Sequence, residues 1–286
     1  MGRLRAIPRA LREHPELFHA LEHVEGRHAT VEELTLAHDA RYVEQVLALV
    51  EAGGGPLDHD TVTSPGSWNA ATAAAGCVLD GIDMAMDGRA TRSFSAVRPP
   101  GHHALRARGM GFCLFGSVAI GAHYARQRYG LQRVLIVDWD VHHGNGTQAL
   151  VETQPEIRFV SMHQWPWYPG TGAAEDRGPH GTIWNVPMRA GLPAETYVEA
   201  LLTAVDAATQ SWTPDIVLIS AGFDSLQGDP LGGFTLEMEQ VTQLTREMVS
   251  RASQWCCGRV VSALEGGYVP ARLGEACVTH LEALRH

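Results

Sequence analysis

The sequence predicts an α/β fold: a central, mostly parallel sheet flanked by helices on both faces. Three observations point to it. Short apolar, β-branched runs recur at residues 133–137, 157–162, 215–220 and 259–264. They are apolar throughout rather than alternating, as strands covered on both sides require. Segments with helical hydrophobic spacing lie between them.

The elements follow in order. Residues 3–51 read as helical with short breaks, because Leu4, Ile7 and Leu11, and later Tyr42, Val43, Val46, Leu47 and Val50, recur at three- to four-residue spacing. Thr30 with Glu33 makes a capping-box pattern that opens a helix inside this region. Gly53-Gly54-Gly55-Pro56 ends it. Residues 67–86 form an Ala-rich helix closed by Asp87-Gly88, and 94–97 a short strand running into Arg98-Pro99-Pro100-Gly101. A helix is expected at 115–129, a strand at 133–137 and another at 157–162. Helices at 194–210 and 236–253 then alternate with strands at 215–220 and 259–264. No repeat, low-complexity tract or linker divides the chain, so residues 1–286 are expected to form one domain.

Composition narrows the function classes. With 45% hydrophobic and 19% charged residues the chain can bury a large core, which excludes a disordered or fibrous protein. No apolar run approaches the roughly 20 residues of a membrane span, and no apolar stretch of the secretory type follows the first ten residues. The net charge of −10, without a basic patch, repels phosphate backbones, so a nucleic-acid partner is not expected. All 22 basic residues are Arg, which fits a GC-rich, bacterial coding sequence. The five Cys have no zinc-knuckle or redox spacing and read as reduced thiols of a cytoplasmic protein, with Cys256 and Cys257 expected to be buried beside the last strand.

The polar residues gather after the strands, where open α/β sheets bind ligands. The densest group is RVLIVDWDVHHGNG, residues 133–146, in which a buried strand ends in Asp138, Asp140 and His142 at alternate positions. Two carboxylates and an imidazole converging at a buried strand end are costly unless a cation neutralises them, and they suit zinc or another first-row divalent ion. Gly144 to Ala149 formally matches a dinucleotide fingerprint, GxGxxA, but six residues separate it from the strand and anionic pyrophosphate would meet carboxylates. A second strand end, SAGFDSLQGDPLGG, offers Asp224 and Asp229, either of which could complete a metal site with an open position. A third, RPPGHHA, presents adjacent His102 and His103 from a rigid turn, able to divide acid and base roles. A fourth, VVSALEGGYVP, brings Tyr268 after two glycines, where a phenol can donate to a developing oxyanion. The N-terminal His14, His19, His23, His28 and His38 lack converging carboxylates and read as surface or packing residues; Trp165 and Trp167 either line a pocket mouth or pack.

Taken in this order, the segments RPPGHHA, GMGFCLFGSVAIGA, VDWDVHHGNGTQ, SMHQWPWYPGTG, PDIVLISAGFD, GDPLGG and LEGGY resemble the histone deacetylase and acetylpolyamine amidohydrolase family, in particular its class II branch and bacterial relatives. They extend from about residue 58 to 268. The resemblance implies an arginase/deacetylase-type fold and a zinc-dependent amidohydrolase that removes acetyl or other acyl groups from lysine side chains. It implies Asp140, His142 and Asp229 as zinc ligands, with iron(II) an alternative metal, and His102 and His103 as the paired catalytic histidines. It further implies that Asp138 orients His102, that Asn145 faces His103, and that Tyr268 is the catalytic tyrosine. Gly111, Phe112 and Tyr168 would wall an acyl-lysine tunnel, with Leu231 and Asp60 at its rim. A structural potassium ion would be held at Asp138, Asp140, His142, Ser161 and Met162.

This sequence departs from the family in three places. Gly116 stands where relatives often carry Asn. The chain begins almost at the first helix, so the N-terminal strand and entrance loop of longer relatives are expected to be absent, and a neighbouring subunit in a homo-oligomer could complete the mouth. Leu231 occupies a place where some polyamine-specific relatives have an acidic residue, which favours acyl-lysine over polyamine. Three other readings differ from this one in what they require of the sequence. An acetylpolyamine or other small acyl-amine deacetylase differs only in substrate. An arginase-like two-manganese enzyme would order the strand-end ligands as Asp-x-His-x-Asp, unlike the Asp-x-Asp-x-His here. A non-catalytic acyl-lysine reader or scaffold predicts damaged machinery, whereas every expected position is filled.

Overall fold

The structure, a computed structural model, describes residues 2–286. Its elements are α1 (Gly2–Arg12), α2 (Pro15–Ala20), α3 (Val31–Leu34), α4 (Ala40–Glu51), α5 (Ser67–Asp87), β1 (Arg92–Ser95), α6 (Ser117–Tyr129), β2 (Val134–Asp138) and α7 (Asn145–Val151). There follow β3 (Ile157–Gln164), β4 (Ile183–Met188), α8 (Ala194–Thr209), β5 (Ile216–Ala221), α9 (Met238–Cys256), β6 (Val260–Leu264) and α10 (Pro270–Arg285).

The six strands form one all-parallel sheet in the order β1-β6-β5-β2-β3-β4. Strands β2, β5 and β6 are buried along their whole length, which explains their unbroken apolar sequences. Alternate residues serve opposite cores. Leu135, Val137, Val217 and Ile219 face a core closed by α1, α8, α9 and α10, while Val134, Ile136, Ile216 and Leu218 face one closed by α4, α5 and α6. A parallel sheet covered in this way leaves its carboxyl edge as the place where polar loops converge. The register aligns that edge: Asp138 at the end of β2 lies level with Ser161 of β3 and Ser220 of β5.

Several local predictions took a different form. The capping box at Thr30 and Glu33 forms, but the helix it opens is a single turn. The first strand lies two residues earlier than expected, at Arg92–Ser95, because its register with β6 begins at Arg92 opposite Val260. Three elements lacked a clear signal. In β4, Asn185 and Pro187 interrupt the apolar run, and the strand is an edge strand, so it needs less burial. Helix α7 starts inside the polar GNG segment. Helix α10 carries Gly274, which a Cβ would bring to 2.9 Å from the Ala6 carbonyl oxygen of the packed α1. Cys256 is buried as expected, whereas Cys257 is exposed, because it caps α9 in the left-handed region (φ 55°) and its side chain turns away from the core.

Candidate active site

The floor of the site is the segment after β2. Asp138 Oδ1 accepts the Asp140 N–H at 3.0 Å, and Asp140 Oδ1 accepts the His142 N–H at 2.9 Å. These successive turns aim both carboxylates and the imidazole to one side. Asp140 Oδ1 also lies 3.0 Å from His142 Nδ1, and Asp140 Oδ2 accepts the N–H of Gly266 at 2.8 Å. Gly266 has to be glycine: a Cβ there would lie 2.0 Å from Asp224 Oδ2 and 2.5 Å from Asp140 Oδ2.

Asp140, His142 and Asp224 each offer a ligand atom within 4.8 Å of the others, and all three are buried. Asp224 Oδ1 is tied to the Val141 N–H at 3.0 Å. Its Oδ2 stands 3.2 Å from His142 Nδ1 but has no aligned hydrogen bond, so it is a buried oxygen without a donor. With Asp138 and Glu265 also buried, negative charge exceeds what the histidines neutralise, and the oxygen and imidazole donors suit a divalent first-row ion. The site therefore fits a metal. Asp229 lies outside this tight group. Its two oxygens accept the N–H groups of Leu231 (3.0 Å) and Tyr268 (2.7 Å), and each keeps a further lone pair.

The histidine pair stands beside this group. His102 Nδ1 is 3.0 Å from Asp138 Oδ2, and His103 Nδ1 is 2.7 Å from Asn145 Oδ1. The rings lie 4.0 Å apart, yet they are driven in opposite directions. Burial alone would keep His102 neutral, but the carboxylates of Asp140 and Asp138 hold its pKa well above the ordinary value. Burial, reinforced by His102 and His142, holds His103 well below it. Such divergence between neighbours is characteristic of sites that divide acid and base work. Tyr268, raised by burial and by Asp224 and Asp140, stays a protonated phenol.

Other loops adjoin the histidine pair. Gly111 and Phe112 both adopt positive φ (55° and 67°), and a Cβ on Gly111 would lie 2.3 Å from His103 Cδ2. Asp60 Oδ1 accepts the Gly111 N–H at 3.1 Å, and Thr61 Oγ1 accepts the Phe112 N–H at 2.9 Å, so one turn holds this strained backbone. The Phe112 ring is 6.0 Å from that of Tyr268, and the Tyr168 ring is 5.1 Å from that of His103. Trp167 is exposed, and its Nε1–H donates to the Leu231 carbonyl at 2.8 Å. Ser161 and Met162 lie buried behind the floor on β3. Gly144 and Gly146 serve close packing rather than phosphate: a Cβ at Gly146 would meet the His103 carbonyl carbon at 2.4 Å.

Sequence reasoning did not single out two residues at the site. The Arg3 guanidinium sits 4.9 Å from the centre of the Tyr268 ring and donates to the carbonyls of Glu265 and Gly267. Glu265 is buried, with its pKa pushed up to about 7 by burial. Glu265 lies within the LEGGY segment but was given no role of its own there, and Arg3 lies outside every quoted motif. Of the N-terminal histidines, His38 is buried and neutral, its pKa lowered to about 4 by burial, and its Nε2 accepts the Gly116 N–H at 2.9 Å.

Residues 1–284 match the family described as the histone deacetylase domain. The chain is 44% identical over 247 residues to an uncharacterised protein of Synechocystis, covering 86% of this chain and 79% of that one. It is 36% identical over 264 residues to the histone deacetylase-like amidohydrolase of Pseudomonas aeruginosa, covering 90% and 70%. Human histone deacetylase 9 is 35% identical over 324 residues, covering 98% of this chain and 31% of that protein. Among solved structures, the HDA15 HD domain is similar with a TM-score of 0.93 at 34% identity, covering 99% of this chain and 80% of that one.

Proposed function

The chain belongs to the histone deacetylase family, and from that membership and the geometry of the site we infer that it hydrolyses the acyl amide of lysine side chains. It is a metal-dependent amidohydrolase of the deacetylase type, with the buried Asp140, His142 and Asp224 group suited to the metal. The observation that carries the finer reading is the oppositely tuned His102 and His103 beside that group.

Zinc is the proposed metal, held by Asp140 and His142 and completed by Asp229 from the mouth side, with Asp224 behind them. When bound, a zinc ion polarises the acyl carbonyl and makes water acidic enough to attack near neutral pH. The remaining work belongs to the chain. With Nδ1–H donating to Asn145, neutral His103 turns the lone pair of Nε2 to the site. It takes the proton of the attacking water and delivers it to the leaving amine. His102, charged and held by Asp138, adds positive potential beside the reacting carbonyl. The Tyr268 hydroxyl donates to the carbonyl oxygen as negative charge develops on it.

Gly111, Phe112 and Tyr168 form a narrow aromatic passage that suits the four-carbon stem of an acyl-lysine. Asp60, with one oxygen engaged by Gly111, has lone pairs left for the substrate backbone at the rim. Leu231, apolar at the mouth, offers no charge to the distal ammonium of a polyamine, which favours lysine as the amine.

The deciding experiment is hydrolysis of an acetyl-lysine peptide and of acetylputrescine by zinc-reconstituted protein, with Asp140→Ala as control. The expected result is cleavage of the peptide and its loss in the control. Cleavage of acetylputrescine alone would move the activity to small acyl-amines.

A further inference from the structure

Glu265 follows β6 directly, where an apolar strand has just ended, yet its side chain turns inward and is buried. An isolated carboxylate in such a place is unfavourable, so its partners are informative. Oε2 accepts the N–H of Gly101 at 2.6 Å and of His102 at 3.2 Å, and Oε1 accepts the Ser220 hydroxyl at 3.3 Å. Gly101 and His102 lie 164 and 163 residues away in sequence, in the turn that presents the histidine pair. That turn has little freedom of its own, since a Cβ at Gly101 would meet the Ser117 nitrogen at 2.7 Å. The backbone of Glu265 is fixed as well: its N–H donates to the Ala221 carbonyl at 3.1 Å, and its carbonyl accepts from Arg3.

The next three residues continue the pattern. Gly266 donates to Asp140, Gly267 accepts from Arg3, and Tyr268 donates to Asp229. Four consecutive residues thus bind the histidine turn, two aspartates of the site and the N-terminal helix.

We propose that Glu265 is a positioning residue for the histidine pair: its carboxylate, accepting the N–H groups of Gly101 and His102, fixes the backbone from which both imidazoles project, in register with the loop that carries Tyr268. The ring of His102 is held by Asp138 and that of His103 by Asn145, so Glu265 supplies the third constraint, on the main chain. Misplacement of a proton-transferring group by about 1 Å can cost on the order of 100-fold in rate. Glu265 therefore affects kcat rather than substrate binding. This inference rests on the function proposed above, so its test includes a measurement that needs no substrate.

The test compares Glu265→Leu, which removes the acceptor, with Glu265→Gln, which keeps an oxygen for the two N–H groups and an amide for Ser220. Zinc content, melting temperature, kcat and KM are measured for the acetyl-lysine peptide. Amide hydrogen exchange of Gly101 and His102 is followed in the absence of substrate. The expected result is a loss of about 10–100-fold in kcat for Glu265→Leu with KM and zinc content unchanged. Exchange at the two amides should become at least about tenfold faster, and Glu265→Gln should restore most of both. Unchanged exchange in Glu265→Leu, or equal losses in the two variants, would overturn the proposal. A parent protein that cleaves neither substrate would instead count against the proposed function, and exchange alone would then decide the role of Glu265. If Glu265→Leu does not fold, Glu265→Asp, whose shorter side chain cannot span the same gap, gives the same comparison.

Discussion

The proposed mechanism uses a neutral His103, and a neutral amide, Asn145, rather than a carboxylate stands at its Nδ1. In the same mechanism Tyr268 is the matching donor. Replacing it with Phe removes only the hydroxyl, so kcat should fall by about 10²–10³ with the melting temperature nearly unchanged, as steady-state kinetics and calorimetry would show. The metal ligands allow a sharper comparison. If Asp229 completes the metal's shell, Asp229→Ala lowers zinc affinity in equilibrium dialysis more than Asp224→Ala does; the reverse order would make Asp224 the ligand. The buried Asp140, His142 and Asp224 group and the histidine pair were legible as candidates because they follow apolar strands and have types that serve little other purpose there. Glu265 and Arg3 were not, because both act through backbone groups brought from 164 and 264 residues away, and no local spacing records such a contact.

At the scale of elements, β2 determines the site because its residues are buried on two faces at once. Ile136→Ala opens a void in the core against α5 and α6, and urea unfolding should show a loss of about 2–5 kcal/mol. The end of β2 at Asp138 lies level with Ser161 inside β3, where the potassium ion implied by the family resemblance would bind. Its test is a melting temperature several degrees higher in KCl than in NaCl at equal ionic strength, since an ion that binds only the folded state stabilises it. The four central strands and helices α4, α5, α6, α8 and α9 were readable from hydrophobic pattern alone, whereas α10 was not. Strand β4 was not, because an edge strand tolerates Asn185 and Pro187. Helix α7 was hidden because its first turn is also part of the polar site loop.

Across the whole molecule, acid sensitivity follows from imidazoles buried in the neutral form. Burial lowers His143 and His280 to about 3, and His38 and His163 to about 4. A histidine whose pKa falls on folding contributes stability that is complete above its unfolded value of about 6.5 and is lost as pH drops toward the folded value. Burial raises Glu265 to about 7 and Asp224 to about 6, so these two act in the opposite direction, their contribution fading as pH rises through those values. Asp138 and Asp229 are raised as well, whereas His102 and His142, raised by their carboxylate partners, are charged in both states below about pH 6.5 and change little there. His103 joins the four lowered histidines, so the melting temperature should decline from about pH 7 to 4.5. His280→Asn, whose amide reaches the place of Nδ1 and can still bond Thr245, should flatten that decline; an unchanged slope would remove His280 from the account. The strand order has a consequence for biosynthesis. Among the described residues β1 pairs with β6 alone, although some 160 residues separate them in the chain. During translation the first strand has no neighbour until the last one leaves the ribosome, and the loop bearing Tyr268 emerges later still. Such long-range closure is slow, and an interrupted chain would expose unpaired strand edges that invite aggregation. Products truncated before β6 should therefore be inactive and prone to precipitate, so activity and solubility are gained together when β6 pairs with β1.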